Sequence, residues 1–199
     1  SHFMRMGLDP AGDDGSWFQS FETVEESLVP GSAQLIIHRP DGDLVLVENE
    51  DFLIGGSYVD ASNEITAPVA FAGFGVTAPE LGYDDYDGLD VDGHIVATFG
   101  GAPPGFDHNQ RAYYSTGEVK SGNAAARGVV ARLGFIATDR LERYDWESRV
   151  KSYAVTGMRW VNDEGKVQGM YPPISAGATL SPGAIDTLLA GSALDQDTI

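Results

Sequence analysis

The chain has 199 residues, a length that suits one domain or a core domain with extensions. Hydrophobic residues at 42% and aromatics at 10% supply enough apolar surface for a core, which excludes a chain disordered throughout. The 12 Lys plus Arg stand against 30 Asp plus Glu, and the net charge of -18 repels nucleic-acid phosphates and anionic lipid surfaces. Neither nucleic acid nor membrane insertion is therefore expected. Apolar runs such as Val69-Ala70-Phe71-Ala72 are far short of the roughly 20 residues that span a bilayer. Cysteine is absent, which removes disulfides, thiolate metal sites and cysteine nucleophiles together.

Residues 1–6 (Ser-His-Phe-Met-Arg-Met) lack the apolar run of a signal peptide and read as a vector-derived scar. Residues 7–33 are rich in Gly, Asp, Ser and Pro, with one aromatic cluster, Trp17 to Phe21, that suits a short strand. Gln34 to His38 and Leu44 to Val47 flank Pro40-Asp41-Gly42. Pro fixes φ and Gly accepts φ > 0, so this pattern predicts a hairpin. Ala67 to Gly75 and His94 to Phe99 read as apolar strands joined by a long polar loop, Pro79 to Gly93. After the Gly/Pro stretch Gly100 to Gly105, the spacing of Ser115 and Glu118 is that of a capping box opening a helix that runs to about Arg127. Gly128 ends it, and Val129 to Ala137 reads as a buried strand, so strand, helix and strand alternate. Asp139 to Val150 carries a weak amphipathic signal for a further helix. Trp160-Val161 and Lys166-Val167 flank a turn at Asn162 to Gly165, and Ser181-Pro182 caps a helix that Gly191 stops.

Few residues are candidates for chemistry. The four histidines, His2, His38, His94 and His108, fall in no zinc-binding spacing, and no serine sits in a nucleophile elbow; Gly55-Gly56-Ser57 fails the pattern. Gly73-Phe74-Gly75-Val76-Thr77-Ala78 fits the loose dinucleotide pattern Gly-x-Gly-x-x-Ala. Pro79 and the acidic residues after it stand where a phosphate-binding helix is required, so the glycines read as a bulge or a place of close packing. Asp84, Asp85, Asp87, Asp90 and Asp92 are dense enough in oxygen to hold calcium. Their register is not that of an EF-hand, because a loop starting at Asp85 puts Leu89 fifth and Asp90 sixth. A solvated acidic turn is the simpler reading. No catalytic or metal-ligating residue is assigned.

The stretch Val69-Ala70-Phe71-Ala72-Gly73-Phe74-Gly75-Val76-Thr77-Ala78-Pro79-Glu80-Leu81-Gly82-Tyr83-Asp84-Asp85-Tyr86, continued by Gly88 to Gly93, resembles the protease-associated domain of secreted di-zinc aminopeptidases. These belong to the glutamate carboxypeptidase and transferrin-receptor-like peptidases. His94-Ile95-Val96 with Gly100-Gly101-Ala102-Pro103 is similar to the strand and Gly-Ala-Pro loop of that family, although the family usually has Lys where this chain has His94. Lys120, Ala124, Ala125 and Gly128 are similar to its helix, and Gly7 to Asp13 with Trp17-Phe18-Gln19 to its link from the peptidase domain. The resemblance covers residues from about 7 to 191.

The resemblance implies an α+β domain, a β-sandwich or open-barrel-like fold with short flanking helices. Residues 7–33 are then the link, 34–191 the protease-associated domain and 192–199 a polar tail. It implies a non-catalytic module that shapes substrate access or makes protein and peptide contacts, in an extracellular or periplasmic enzyme. No cofactor is expected in this fragment; zinc is expected in a peptidase domain outside it, which would also be its partner alongside peptide or protein substrate. The loops Pro79 to Gly93 and Gly100 to Phe106 are the expected contact face, with Tyr83, Asp84, Asp85, Tyr86, Pro103, Pro104 and Phe106 as candidates. Alternatively, these aromatics pin their own loops onto the sandwich. The competing function is a free-standing calcium- or carbohydrate-binding module built on Asp84 to Asp92.

Overall fold

The computed structural model describes residues 2–40, 42–136 and 145–190. Its centre is a five-stranded sheet built from β4 (Phe52–Ile54), β5 (Val69–Phe71), β8 (Ile95–Phe99), β9 (Ala131–Phe135) and β11 (Ala176–Leu180), in the order β4-β11-β9-β8-β5. Strands β5, β8, β9 and β11 run parallel, and β4 closes one edge antiparallel to β11.

A parallel sheet needs cover on both faces, because its crossovers lie there and its strands are apolar on both sides. Alternation within each strand divides the cover. Ala97 of β8, Leu133 and Phe135 of β9 and Leu180 of β11 point to one face, where they meet Leu46, Phe52, Ala184, Ile185 and Leu189. That face is covered by the hairpin β2 (Leu35–Ile37) and β3 (Leu44–Leu46) and by the last helix, α5 (Pro182–Leu189). Val96 points to the opposite face, against Ala124 of α3 (Gly117–Ala125) and against Ala72, Tyr86, Val91 and Val129. A third cluster, Val76, Ala78, Ala102 and Tyr114, lies between the two-residue strands β6 (Thr77–Ala78) and β7 (Tyr83–Asp84) and helix α2 (His108–Tyr114). The chain is thus α+β, layered like a sandwich on the hairpin side, with no closed barrel among the described residues.

Several expectations hold. The hairpin around Gly42 forms with Leu35 opposite Leu46; Asp41 lies outside the described residues. The alternation after His94 is β8, then two helices, then β9 parallel to β8. Ser181 caps α5, its Oγ accepting from Ala184 N, with Pro182 first in the helix. The turn at Asn162 closes with Gly165 N donating to Asn162 O at 2.9 Å, beyond strand β10 (Gly157–Val161).

Other expectations need correction. Trp17 to Phe21 forms no strand: Asp13 N donates to Phe18 O at 2.8 Å and folds the segment into a turn, and Trp17 packs on Phe3 at 5.7 Å. The strand is the next segment, β1 (Glu22–Glu26), because its pairing with β10 half-buries Val24 and Glu26 and so outweighs local apolar content. Ser115 opens no helix. It ends α2, and α3 starts after Thr116, whose hydroxyl accepts from Val119 N. The expected helix over 139–150 is α4 (Trp146–Tyr153), capped by Asp145; residues 139–144, Gly191 and the tail 192–199 lie outside the described residues. No helix among the described residues is long and apolar enough to cross a membrane.

Phe135 is 1% exposed and packs against Phe71 and Phe99, both 5.9 Å away. Phe135→Ala is expected to cost about 3–5 kcal/mol in a chemical denaturation series, the range for an aromatic ring removed from a packed core.

Candidate functional site

The segment after β5 turns sharply. Gly73 and Gly75 have φ of 43° and 69°, a left-handed region that side chains avoid. Space excludes side chains too: a methyl group at Gly73 would collide with Asp85 Oδ1, and one at Gly75 would sit 2.9 Å from Thr98 Cγ2. The turn presents backbone N–H groups, as a phosphate-binding loop does, but the anion is internal. Asp85 Oδ2 accepts from Phe74 N at 3.0 Å and Val76 N at 2.9 Å, while its Oδ1 accepts from the Tyr83 hydroxyl at 2.7 Å. The Gly-x-Gly-x-x-Ala pattern therefore marks a loop closed by its own carboxylate.

Asp84 has a parallel task on the outer side. It accepts from Tyr86 N and from the Thr77 hydroxyl, each at 2.9 Å, and pairs with Arg127 at 3.1 Å. Partial burial pushes its carboxyl up, but these donors and the guanidinium outweigh that and hold it below the ordinary carboxylate value. Arg127 also lies 4.4 Å over the ring of Tyr86. Among the described residues no three His, Asp or Glu side chains gather in metal-binding geometry. Asp84 and Asp85 are instead spent on donors of the protein itself, on either side of this turn.

Beside this turn lies an open groove of about 450 Å³, lined by Phe74, Leu81, Tyr83, Pro103, Pro104, Gly105, Phe106 and Gln110. Its rings are set edge to face, with Tyr83 and Phe106 at 5.3 Å and 78° and Phe106 and Tyr114 at 5.3 Å and 71°. Two loops meet there, each leaving the C-terminal end of a parallel strand: one follows β5 and the other follows β8. Helix α2 fixes the second loop. Asp107 caps it by accepting from Gln110 N, and Gln110 returns the bond to Asp107 N. Behind Phe74, Lys120 is 3% exposed, its ammonium donating to Phe99 O at 2.7 Å.

The sequence candidates divide accordingly. Tyr83, Pro103, Pro104 and Phe106 line the groove. Asp84 and Asp85 brace it. Tyr86 is 3% exposed and belongs to the core under α3, so it offers no contact surface; burial pushes its phenol up. His94 Nδ1 bonds its own turn at Asp92 O, and His38 pairs with Asp43. Sequence reasoning missed Phe74, Leu81, Gln110 and the supporting Tyr114. The signal for Gln110 was present, as Asp107-x-x-Gln110 is a capping box hidden behind a Gly/Pro stretch.

Tyr114, packed against Phe106 behind the groove, donates its hydroxyl to Glu80. That bond holds Glu80 below its ordinary 4.5 and pushes Tyr114 up to about 12. A depressed carboxyl stabilises the fold above its unfolded value and loses the effect as pH falls through the folded one. A raised phenol stabilises below pH 10 and loses the effect as pH climbs towards 12. The difference in melting temperature between wild type and Tyr114→Phe is therefore expected to be constant from about pH 5 to 10 and to shrink at both ends. Asp85→Ala, which leaves Phe74 N and Val76 N unmatched, is expected to cost about 2–4 kcal/mol in urea unfolding, with Asp85→Asn milder because one amide oxygen can keep both bonds.

No family model matches the chain, and no curated protein matches it. Among solved structures, the aminopeptidase from Aneurinibacillus sp. strain AM-1 is similar at a TM-score of 0.43 and 15% identity. The match covers 85% of this chain and 29% of the aminopeptidase, so the chain spans less than a third of that protein's length.

Proposed function

We propose that this chain is a non-catalytic protease-associated module of a zinc-dependent aminopeptidase, and that its groove is the face that meets peptide substrate or the parent's own peptidase domain. The observation that carries this reading is convergence. Tyr83 stands about one loop away from Pro103, Pro104 and Phe106 in the chain, yet all four line one groove. The groove sits where loops leave the C-terminal ends of neighbouring parallel strands, β5 and β8, so the sheet holds both loops to one side. The residue types support a contact role: aromatic surface of this kind is favoured at contacts and offers no nucleophile, general base or metal set. The sequence likeness of Val69 to Gly93 to protease-associated domains supports the same reading. Zinc and the catalytic acids would belong to the peptidase domain, in an extracellular or periplasmic enzyme.

The isolated chain is expected to release no amino acid from aminoacyl reporters and to carry no stoichiometric zinc after zinc exposure and dialysis. Turnover with one or more bound zinc ions per chain would overturn the proposal. A calcium titration separates the competing module. A ligand specific for the folded state raises the melting temperature, and no rise is expected, because Asp84 and Asp85 already hold protein donors.

A further inference from the structure

The layer between α3 and the sheet holds polar groups that the groove does not use. Thr98 of β8 and Arg132 of β9 face α3 from neighbouring strands, on the same side as Val96. Arg132 Nη1 donates to Ser121 Oγ of α3 at 2.8 Å, and Nη2 reaches Thr98 Oγ1 at 3.5 Å. Its Nε is closed off from solvent and has no partner among the described residues. The hydroxyl of Tyr86, a residue 3% exposed, is buried without a partner too. The two orphans are neighbours. A methyl group at Gly75 would lie 3.4 Å from Tyr86 Oη and 3.5 Å from Thr98 Cβ. Burial raises the Tyr86 phenol, and Arg132 is the strongest charge acting on it, ahead of Arg127, Asp85 and Asp84.

A buried polar group without a partner is costly, and a buried charge without a counter-charge more so. Hydrogen bonding alone suits a water here as well as an ion, since the hydroxyls of Ser121, Thr98 and Tyr86 also accept. Charge separates the two. Among the described residues no carboxylate pairs with Arg132, whose partners are neutral hydroxyls, and burial lowers its basicity. A water leaves the guanidinium uncompensated and an anion does not. Space is short, as a methyl group at Gly75 would also sit 2.9 Å from Thr98 Cγ2, which favours an ion of one atom over an oxyanion. We propose that this layer binds one small monovalent anion of halide size, held by the Arg132 guanidinium and the Tyr86 hydroxyl. Arg132 and Ser121 are only half-buried, so the ion enters from their side while Thr98, 1% exposed, closes the floor. Bound there, it braces α3 against the turn after β5, which Asn123 of α3 already reaches by donating to Gly75 O at 3.3 Å.

The experiment is thermal melting of the intact chain as sodium chloride replaces sodium gluconate at constant ionic strength, paired with anomalous diffraction from bromide-soaked crystals. Ionic strength is held fixed because screening alone changes the stability of a chain with net charge -18. Chloride is expected to raise the melting temperature of the wild type saturably, by about 3 °C or more at about 0.2 M, as a ligand specific for the folded state does. Tyr86→Phe keeps the ring and removes only the hydroxyl, and it is expected to lose at least about half of that rise; Arg132→Met is expected to lose nearly all of it. An anomalous peak is expected within hydrogen-bonding distance of Arg132 Nε. Should Arg132→Met fail to fold, Tyr86→Phe and the bromide map decide. No rise with chloride, a rise that Tyr86→Phe leaves unchanged, or a bromide map without a peak beside Arg132 would each overturn the inference. A peak without any rise in melting temperature marks an adventitious ion only and overturns it as well.

Discussion

One carboxylate organises the functional end of this domain. Asp85 satisfies two backbone N–H groups of the turn after β5 and the hydroxyl of Tyr83, so a single side chain fixes a left-handed turn and the ring that forms one wall of the groove. Charge-assisted bonds to backbone N–H are stronger than neutral ones, and here they are partly shielded from water. The glycines complete the device. A side chain at Gly73 would displace the carboxylate, so the motif and the acid that fills it stand or fall together.

The sheet supplies what that turn needs. Among the described residues β5 is an edge strand, three residues long, paired with β8 alone. Its C-terminal end is held by Ala72 N to Ala97 O at 3.0 Å and by Phe99 N to Gly73 O at 2.8 Å. These bonds carry the ladder of β5 and β8 one step past the strand and aim both following loops to the same side. The helices α2 and α3 then close over them, with Tyr114 and Lys120 as struts from behind. Rigid placement by the sheet and variable chemistry on the loops is the arrangement in which binding faces commonly arise.

Much of this architecture was legible in sequence, because local rules and tertiary packing agreed there. The hairpin at Gly42, the cap at Ser181-Pro182 and the buried strands β8 and β9 carry signals that packing reinforces. Legibility failed where two rules competed. Trp17 to Phe21 looks more like a strand than Glu22 to Glu26 by content, yet β10 pairs with the latter, and no local signal encodes a partner over 130 residues away. Helix α2 was hidden because Gly and Pro dominate the window before its capping box. At the site, residue types identified the loops but not their sidedness. Tyr83 and Tyr86 are three apart in one acidic turn, and only the fold sends the first to the groove and the second into the core. The acidic run likewise reads in sequence as a solvated turn or an ion site, and no local signal shows that Asp84 and Asp85 hold backbone and hydroxyl donors of the protein.

The claim on which the rest depends is that Asp85 builds the groove, and NMR of Asp85→Ala tests it most directly. Edge-to-face packing shifts ring protons of Tyr83 and Phe106 away from their exposed values, while methyl shifts of Leu133, Leu180 and Ile185 report the main core. The expected result is collapse of the Tyr83 and Phe106 shifts with the core methyls unmoved. Ring shifts that survive the loss of the carboxylate would contradict it.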